Sequence, residues 1–480
     1  MRWFTLDRDS TLPLIRQIYH EISSQILSGE LQAGEKLPST RETASELGVS
    51  RNVVIEVYEQ LTAEGFLLGI SGAGTFVAKG SHLTLPTDPP AGSTEHEADE
   101  RTVIARSVRQ LDPSDDANPI DFCLGRPALD LVPCPTFARM EYECRVTSSP
   151  ISLRGATPEG QPELREALCA YLWRKRGVEC GPEQIVITSG AVQGFSLLSR
   201  LIPPGSEILF EDPGHRLARD TFQFHGAKII PLPVDEEGIL VDDLPQARRP
   251  ALVFVTPSHQ FPLGGCLSIQ RRVALVEWAR KMDCLVVEDD YESEFRYDVG
   301  PVSAIQRLDP GNVVYVGTFS KILFPTIRLG YLVLPPHLVE NCAAAKRMTD
   351  RYSAPNPQLA MARFMREGLL DRHIARMRKT YRHRRDALIA ALEEAFPRKV
   401  EILGRTTGLH IAASFEGFSF DLPLLKSIQR EGVNLHPIED FAIIKGRHRS
   451  RVAMGYSHLD IPNIREGIAR IERVLSSGRL

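Results

Sequence analysis

Apolar positions in the first eighty residues recur at helical spacing in three short runs. Leu14, Ile15, Ile18, Ile22 and Ile26 share one face of a helix predicted within 11–29, and Gly29 ends it. After Pro38, either Ser39 or Thr40 is placed to cap a second helix, with Glu42 set as in a capping box and Gly48 as the stop. Ser50 then caps a third helix with Val53, Val54, Val57, Tyr58 and Leu61 on its buried side, ending at Gly65. Residues 66–70 and 75–78 alternate as two strands around a turn at 71–74.

The apolar pattern fades from Leu83 to Pro119, where prolines and the acidic cluster from Glu95 to Glu100 predict a partly disordered linker, with a short helix at 103–111 as an option. Beyond Ile120 short apolar runs at 185–188, 207–210, 251–256, 285–290, 313–317 and 331–335 alternate with helical segments. That alternation predicts a mostly parallel sheet covered on both faces. The stretch 399–480 mixes strands and helices and is expected to form a smaller subdomain. The predicted domains are 1–80, a linker over 81–119, and 120–480.

At 480 residues, two to three domains are expected at about 150 residues each. With 42% apolar and 25% charged residues the composition is that of a soluble protein. The opening MRWFTLDRDSTLPL has no apolar run after a basic start, so no secretory signal is expected, and the absence of about 18 consecutive apolar residues predicts no membrane span. The eight cysteines form no CxxC pair, so no metal site is expected; unpaired, they fit a reducing cytoplasm, mostly as small core residues. Net charge is −4, and the first 80 residues hold seven Lys or Arg against ten Asp or Glu. Bulk charge therefore does not advertise nucleic acid, and any DNA contact must come from one localised face.

Three short helices followed by a β-wing suit a winged helix-turn-helix. The stretch LPSTRETASELGVSRNVVIEVYEQLTAEGFL (37–67), followed by GAGTFVA (72–78), resembles the GntR family of DNA-binding regulators. In such a module the third helix enters the major groove by its N-terminal residues, here Ser50, Arg51 and Asn52. Arg51 is suited to guanine, Asn52 to adenine and the Ser50 hydroxyl to a phosphate. The resemblance also implies DNA contact by Arg41, and Gly72 and Gly74 let the wing backbone approach the minor groove. The bland alternative is a helical bundle for protein docking, with Arg41 and Arg51 as solvated charges.

The rest of the chain carries residues that suit pyridoxal 5′-phosphate (PLP). That cofactor needs a lysine for its aldehyde, a carboxylate for its pyridine nitrogen, a phosphate cup and a side chain over the ring. GTFSKILFPTIRLGY (317–331) resembles the lysine segment of fold type I aminotransferases, which implies that Lys321 forms the Schiff base and that Thr318 and Arg328 bind phosphate. VVEDDYESEFRY (286–297) ends an apolar strand, where ligands sit in α/β sheets. By resemblance Asp289 meets the pyridine nitrogen and Tyr291 the ring hydroxyl; Asp290 is the rival acid. ITSGAVQG (187–194) joins strand to helix, so the backbone N–H groups of Gly190, Ala191 and Val192 are phosphate candidates. In FEDPGH (210–215) His215 stands where relatives have a stacking tyrosine, and in LRGATPEG (153–160) Gly155 stands at another tyrosine position. By resemblance VTPSHQFPLG (255–264) implies that His259 lies near the ring, with a buried, satisfied histidine as the competing reading, and RVAMGYSHL (451–459) resembles a carboxylate-binding segment, which makes Arg451 the candidate for an effector carboxylate.

Together the two halves resemble the MocR subfamily of GntR regulators across nearly all of the chain. That implies a cytoplasmic, head-to-tail homodimer that binds a double-stranded operator and senses PLP, an amino acid or another small amine. The alternative is an active PLP-dependent aminotransferase with an accessory DNA module; the changes at Gly155 and His215 favour weak or absent transamination. The basic helix around 371–388 reads as a solvated face or as a contact to DNA beside the operator.

Overall fold

The computed structural model describes residues 6–8, 10, 12–79, 120–147, 156–300 and 302–476. The linker, its optional helix and Gly155 lie outside the described residues. Contacts divide the chain into two compact units, one within residues 1–102 and one within 103–480.

In the first unit helices Leu14–Leu27, Thr40–Leu47 and Arg51–Ala63 precede an antiparallel hairpin of Leu67–Ile70 and Gly74–Val77. Ile18, Ile22, Ile26, Val54, Val57, Leu61 and Leu67 form its core. The capping box is present: Ser39 Oγ accepts from Glu42 N–H at 3.3 Å, and Ser39 N–H donates to Glu42 Oε2 at 2.8 Å. Gly48 ends the second helix in the left-handed conformation, at φ 64°. Tyr58 ties the helix pair together, donating to Pro38 O at 3.1 Å and lying 3.0 Å from Thr43 Oγ1. Ser50 occupies the N-cap position of the third helix, but its hydroxyl makes no cap bond, so the expected side-chain cap is replaced by backbone conformation alone.

The second unit is built on an eight-stranded sheet in the spatial order 185–188, 330–333, 313–318, 285–290, 252–255, 207–212, 228–235, 238–239. The five strands from 313–318 through 228–235 run parallel. Gly330–Val333 runs antiparallel to both neighbours, and Gly238–Ile239 antiparallel to Lys228–Asp235. Strand Lys228–Asp235 is absent from the predicted set: Pro231 and Pro233 disguise it, and both are tolerated because it lies near the sheet edge.

A smaller four-stranded antiparallel sheet (400–403, 410–415, 451–455, 436–437) packs with helices Leu369–Ala395 and Ile461–Ser476. Ile120 and Phe122 join that core, because Ile120–Asp121 pairs with Val433–Asn434. Only Cys284 and Cys342 are buried as core cysteines; Cys169 and Cys180 are half-buried with sulfurs 3.8 Å apart. No helix among the described residues is long and apolar enough to cross a membrane.

Candidate cofactor site and nucleic-acid interface

The parallel strands and Ile185–Thr188 end on one side of the sheet, and their C-terminal ends carry the sequence-predicted cofactor residues. Gly190 is the N-cap of helix Ala191–Ser199, at φ 91°, a conformation that favours glycine. The Arg328 guanidinium lies 3.1–3.3 Å from where a Gly190 Cβ would stand, and it donates to Ser189 O. Ala191 and Val192 stand in the first turn of that helix, where backbone N–H groups have no partner within the helix. Thr318 Oγ1 accepts from Ser320 N–H at 3.2 Å beside the lysine segment. Free helix N–H groups, an exposed guanidinium and hydroxyls make an anion cup.

Lys321 Nζ donates to Gly125 O at 2.9 Å. A Cβ on Gly125 would stand 2.5 Å from that nitrogen, so the glycine makes room for the lysine. Burial pushes the Lys321 ammonium below its ordinary pKa, which favours the nucleophilic free amine.

The strand period of two separates the rival aspartates. Asp290 accepts from Arg176 at 2.7 Å, from Ser293 at 2.8 Å and from Tyr315, all on one face of the sheet. Asp289 lies on the opposite face with Lys321, Glu211 and Glu292 as electrostatic neighbours, and its Oδ1 is buried without a hydrogen-bond partner among the described residues. Burial and the nearby carboxylates push its pKa up to about 8. A buried, unpaired carboxyl oxygen is costly unless a donor arrives, and a protonated pyridine nitrogen is such a donor.

His215 is the N-cap of helix Arg216–Phe224, its Nδ1 accepting from Ala218 N–H at 3.1 Å. Burial and Lys321 push its pKa down to about 4, so it presents a neutral ring edge-on to Phe195 and Phe261. The Tyr291 hydroxyl donates to His259 O at 3.0 Å and lies 3.1 Å from His259 Nδ1. Arg451 begins a strand of the smaller sheet, half-buried, with no carboxylate of the described residues within ion-pair distance.

Several residues escaped the sequence reading. Glu211 takes bonds from Thr256 N–H at 3.1 Å, from the Thr256 hydroxyl at 2.5 Å and from Gln260 at 3.3 Å. Glu292 and His410 are fully buried beside His259. The available signal was that Glu211, Gln260 and Glu292 fall inside segments already singled out. The arginines of the basic helix are mostly engaged within the unit: Arg376 on Leu131 O, Arg378 on Glu294 O, Arg384 on Ser457 O, and Arg382 and Arg385 on Asp298.

In the first unit Arg41, Ser50, Arg51, Asn52, Gly72 and Gly74 are all exposed. Arg51 Nε lies 3.3 Å from Thr40 Oγ1, which joins the starts of the second and third helices. Gly72 and Gly74 adopt φ 76° and 118°.

Residues 14–77 match the family of bacterial regulatory proteins of the gntR type, and residues 117–471 match aminotransferase class I and II. The probable rhizopine catabolism regulatory protein MocR of Rhizobium meliloti is 36% identical over 470 residues, covering 96% of this chain and 94% of its own. The chain belongs to the MocR subfamily of GntR regulators. The HTH-type pyridoxine biosynthesis transcriptional regulator PdxR of Corynebacterium glutamicum is 33% identical over 374 residues, 77% of this chain and 76% of its own. The crystal structure of a Pyrococcus horikoshii kynurenine aminotransferase with PMP is similar at TM-score 0.69 and 30% identity, covering 75% of this chain and 91% of that one. The cofactor of this MocR-type fold is PLP, and the unpaired Asp289 oxygen, the Gly190–Arg328 pair and the half-buried Lys321, whose ammonium is pushed below its ordinary pKa, fit it.

Proposed function

We propose that the chain is a transcriptional regulator whose winged helix binds an operator and whose aminotransferase-like unit senses PLP or a small amine, including amino acids. The observation that supports this reading is the joining, in one chain, of a GntR-type winged helix whose Arg41, Ser50, Arg51 and Asn52 are exposed with an aminotransferase-type unit that carries Lys321, Asp289 and the Gly190–Arg328 pair. Bound PLP would supply an aldehyde and an electron-withdrawing ring. The chain's own residues would then do the following. Lys321 would hold the cofactor covalently, Asp289 would hold the proton on the pyridine nitrogen, and Arg328, Thr318 and the N–H groups of Gly190, Ala191 and Val192 would hold the phosphate. His215 would flank the ring, Tyr291 would bond its hydroxyl with His259 behind, and Arg451 would take an effector carboxylate.

On the DNA side, Arg51 and Asn52 would read bases while Arg41 and Ser50 hold phosphates and the wing at Gly72 and Gly74 follows the minor groove. The domain division at 1–80, 81–119 and 120–480, the head-to-tail homodimer and a cytoplasmic location belong to the same reading. An amine that displaces Lys321 would favour one arrangement of the protein over another, which is all that ligand-gated binding requires. The test measures operator affinity with and without PLP and a panel of amines, and keto-acid production on the same panel. Expected is a change in operator affinity of about 5- to 150-fold with little turnover. Rapid turnover with unchanged operator affinity would favour the second reading, an active aminotransferase.

A further inference from the structure

Behind Tyr291 lies a buried imidazole–carboxylate cluster of His259, Glu292 and His410. His259 is 2% exposed, Glu292 1% and His410 0%. Glu292 Oε2 accepts from Leu409 N–H at 2.8 Å and lies 3.3 Å from His259 Nδ1 and 3.6 Å from His410 Nδ1. His410 Nε2 is 3.2 Å from Pro262 O, which can only accept, so that nitrogen carries a hydrogen. Glu292 is ionised and can only accept, so His259 Nδ1, which faces it, carries the hydrogen and can also donate to the Tyr291 oxygen 3.1 Å away; the single Tyr291 hydrogen rests on His259 O at 3.0 Å until a ligand oxygen draws it off. Glu292 thereby fixes the tautomer as an orienting carboxylate does.

The space for this ring is specially made. A Cβ on Gly408, at φ 84°, would stand 2.1 Å from His259 Cε1, and one on Gly264, at φ 82°, 3.0 Å from Nε2. Glycines from two different loops thus clamp one imidazole. A ring held this closely, with a carboxylate on its Nδ1 side, is a device for aiming what it touches.

We propose that His259, oriented by Glu292, is a positioning residue that makes the Tyr291 hydroxyl a stronger hydrogen-bond donor toward the ring oxygen of bound PLP. The inference rests on the placement of Tyr291 against that oxygen given under Proposed function. A hydroxyl whose oxygen accepts a bond donates a stronger one, because chained hydrogen bonds polarise each other. A stronger donor holds negative charge on the ring oxygen, and a proton at the Lys321 nitrogen is then released more easily. His259 is faced by Tyr291, Glu292, Arg296 and His410, and Lys321 by Glu292, Asp289 and Cys123. Glu292 touches both sets, so substitutions at His259 give the cleaner test.

The experiment titrates the visible absorption of the full-length, PLP-loaded protein against pH. In His259→Leu the midpoint is expected to rise by up to about one pH unit, a tenfold change in proton affinity. His259→Gln, which keeps an N–H donor, is expected to stay near the wild-type midpoint. In a Tyr291→Phe background, His259→Leu should add no further shift, since the two act as one unit. An unmoved midpoint in a His259→Leu protein that still loads PLP overturns the inference, and so does a full extra shift in the Tyr291→Phe background. Where the Leu chain does not fold, the Gln variant decides: a midpoint displaced as far as in Tyr291→Phe overturns the assignment. A wild type that takes up no PLP at all would instead overturn the cofactor reading beneath it.

Discussion

The two candidate sites of this chain are built in opposite ways. The face proposed to read DNA keeps Arg41, Ser50, Arg51 and Asn52 exposed, and among the described residues the Arg51–Thr40 contact is the one side-chain bond these four make within the unit. The cofactor site buries Glu211, Asp289, Asp290 and Glu292; both oxygens of Glu211 and one each of Asp290 and Glu292 are bonded to protein, while Asp289 Oδ1 is left without a partner among the described residues. A face that waits for a polymer can leave its donors in water at little cost. A site that waits for a small molecule must hold charges away from water, and it does so with a surrounding network. Substitutions should therefore be separable on the first site and coupled to stability on the second.

The largest effect expected is at Lys321. Lys321→Ala should abolish borohydride trapping of PLP on the protein while weak, reversible PLP uptake persists. Operator binding by the PLP-free protein should stay intact, since the residue lies in the other unit. Trapping that survives in Lys321→Ala, located by mass spectrometry on another lysine, would break the assignment.

The next effect sharpens the coupling between burial and ligand. The Asp289 carboxyl has its pKa raised from 3.8 to about 8, first by burial and then by Asp290 and Glu211. A raised folded pKa means that its contribution to stability is complete below the unfolded value and is lost as pH rises from about 4 through 8. The PLP-free protein should thus lose stability across that window, and PLP, by pairing the carboxylate, should restore it. Asp289→Asn should stabilise the PLP-free protein at pH 8 by roughly 1–3 kcal/mol and weaken PLP binding. Thermal melts at several pH values, with and without PLP, check both signs. A variant less stable than wild type at pH 8 without PLP would show that this carboxyl is better satisfied than its unpaired oxygen indicates.

Arg51→Ala is the matching substitution on the exposed site. It should cost about 1–3 kcal/mol on the specific operator and relax base preference, while leaving melting unchanged. Binding isotherms on specific and random duplexes separate base reading from phosphate contact; equal losses on both would assign Arg51 to the backbone.

How much of each site was legible follows from the same contrast. The winged helix could be read almost entirely, because each helix start and stop is a local signal: Ser39 with Glu42, Gly48, Gly65. In the second unit motif order singled out Lys321, Asp289 and Arg328, and the fold carries them to the C-terminal ends of the strands, with Asp289 and Asp290 on opposite sides of theirs. Glu211, Glu292 and His410 were not legible, because a single acid or histidine at a strand end looks like any other until the fold gathers them. Gly125 was hidden for a related reason: its need for no side chain comes from Lys321, 196 positions away. Strand Lys228–Asp235 was lost to its two prolines, whose tolerance depends on a place in the sheet that local pattern does not encode.

The smallest effect expected compares two serines of one sequence type at two helix starts. Ser39 closes a reciprocal cap with Glu42, satisfying two backbone donors. Ser50 takes the same extended backbone conformation, φ −66° and ψ 145°, but its hydroxyl accepts nothing from the helix it precedes. Ser39→Ala should therefore cost about 1 kcal/mol of stability in the first unit, as the loss of a working cap does. Ser50→Ala should leave melting unchanged within about 0.5 kcal/mol, because no bond is lost. On DNA the order should reverse. Ser50 stands beside Arg51 and Asn52 at the helix end taken to face the groove, so losing its hydroxyl should weaken operator binding by about 1 kcal/mol. That loss should be equal on specific and random duplexes, since a phosphate contact carries no sequence information. If Ser50→Ala instead destabilises the unit as much as Ser39→Ala, its hydroxyl is a cap after all, and the separation between an exposed reading face and its supporting fold fails at that residue.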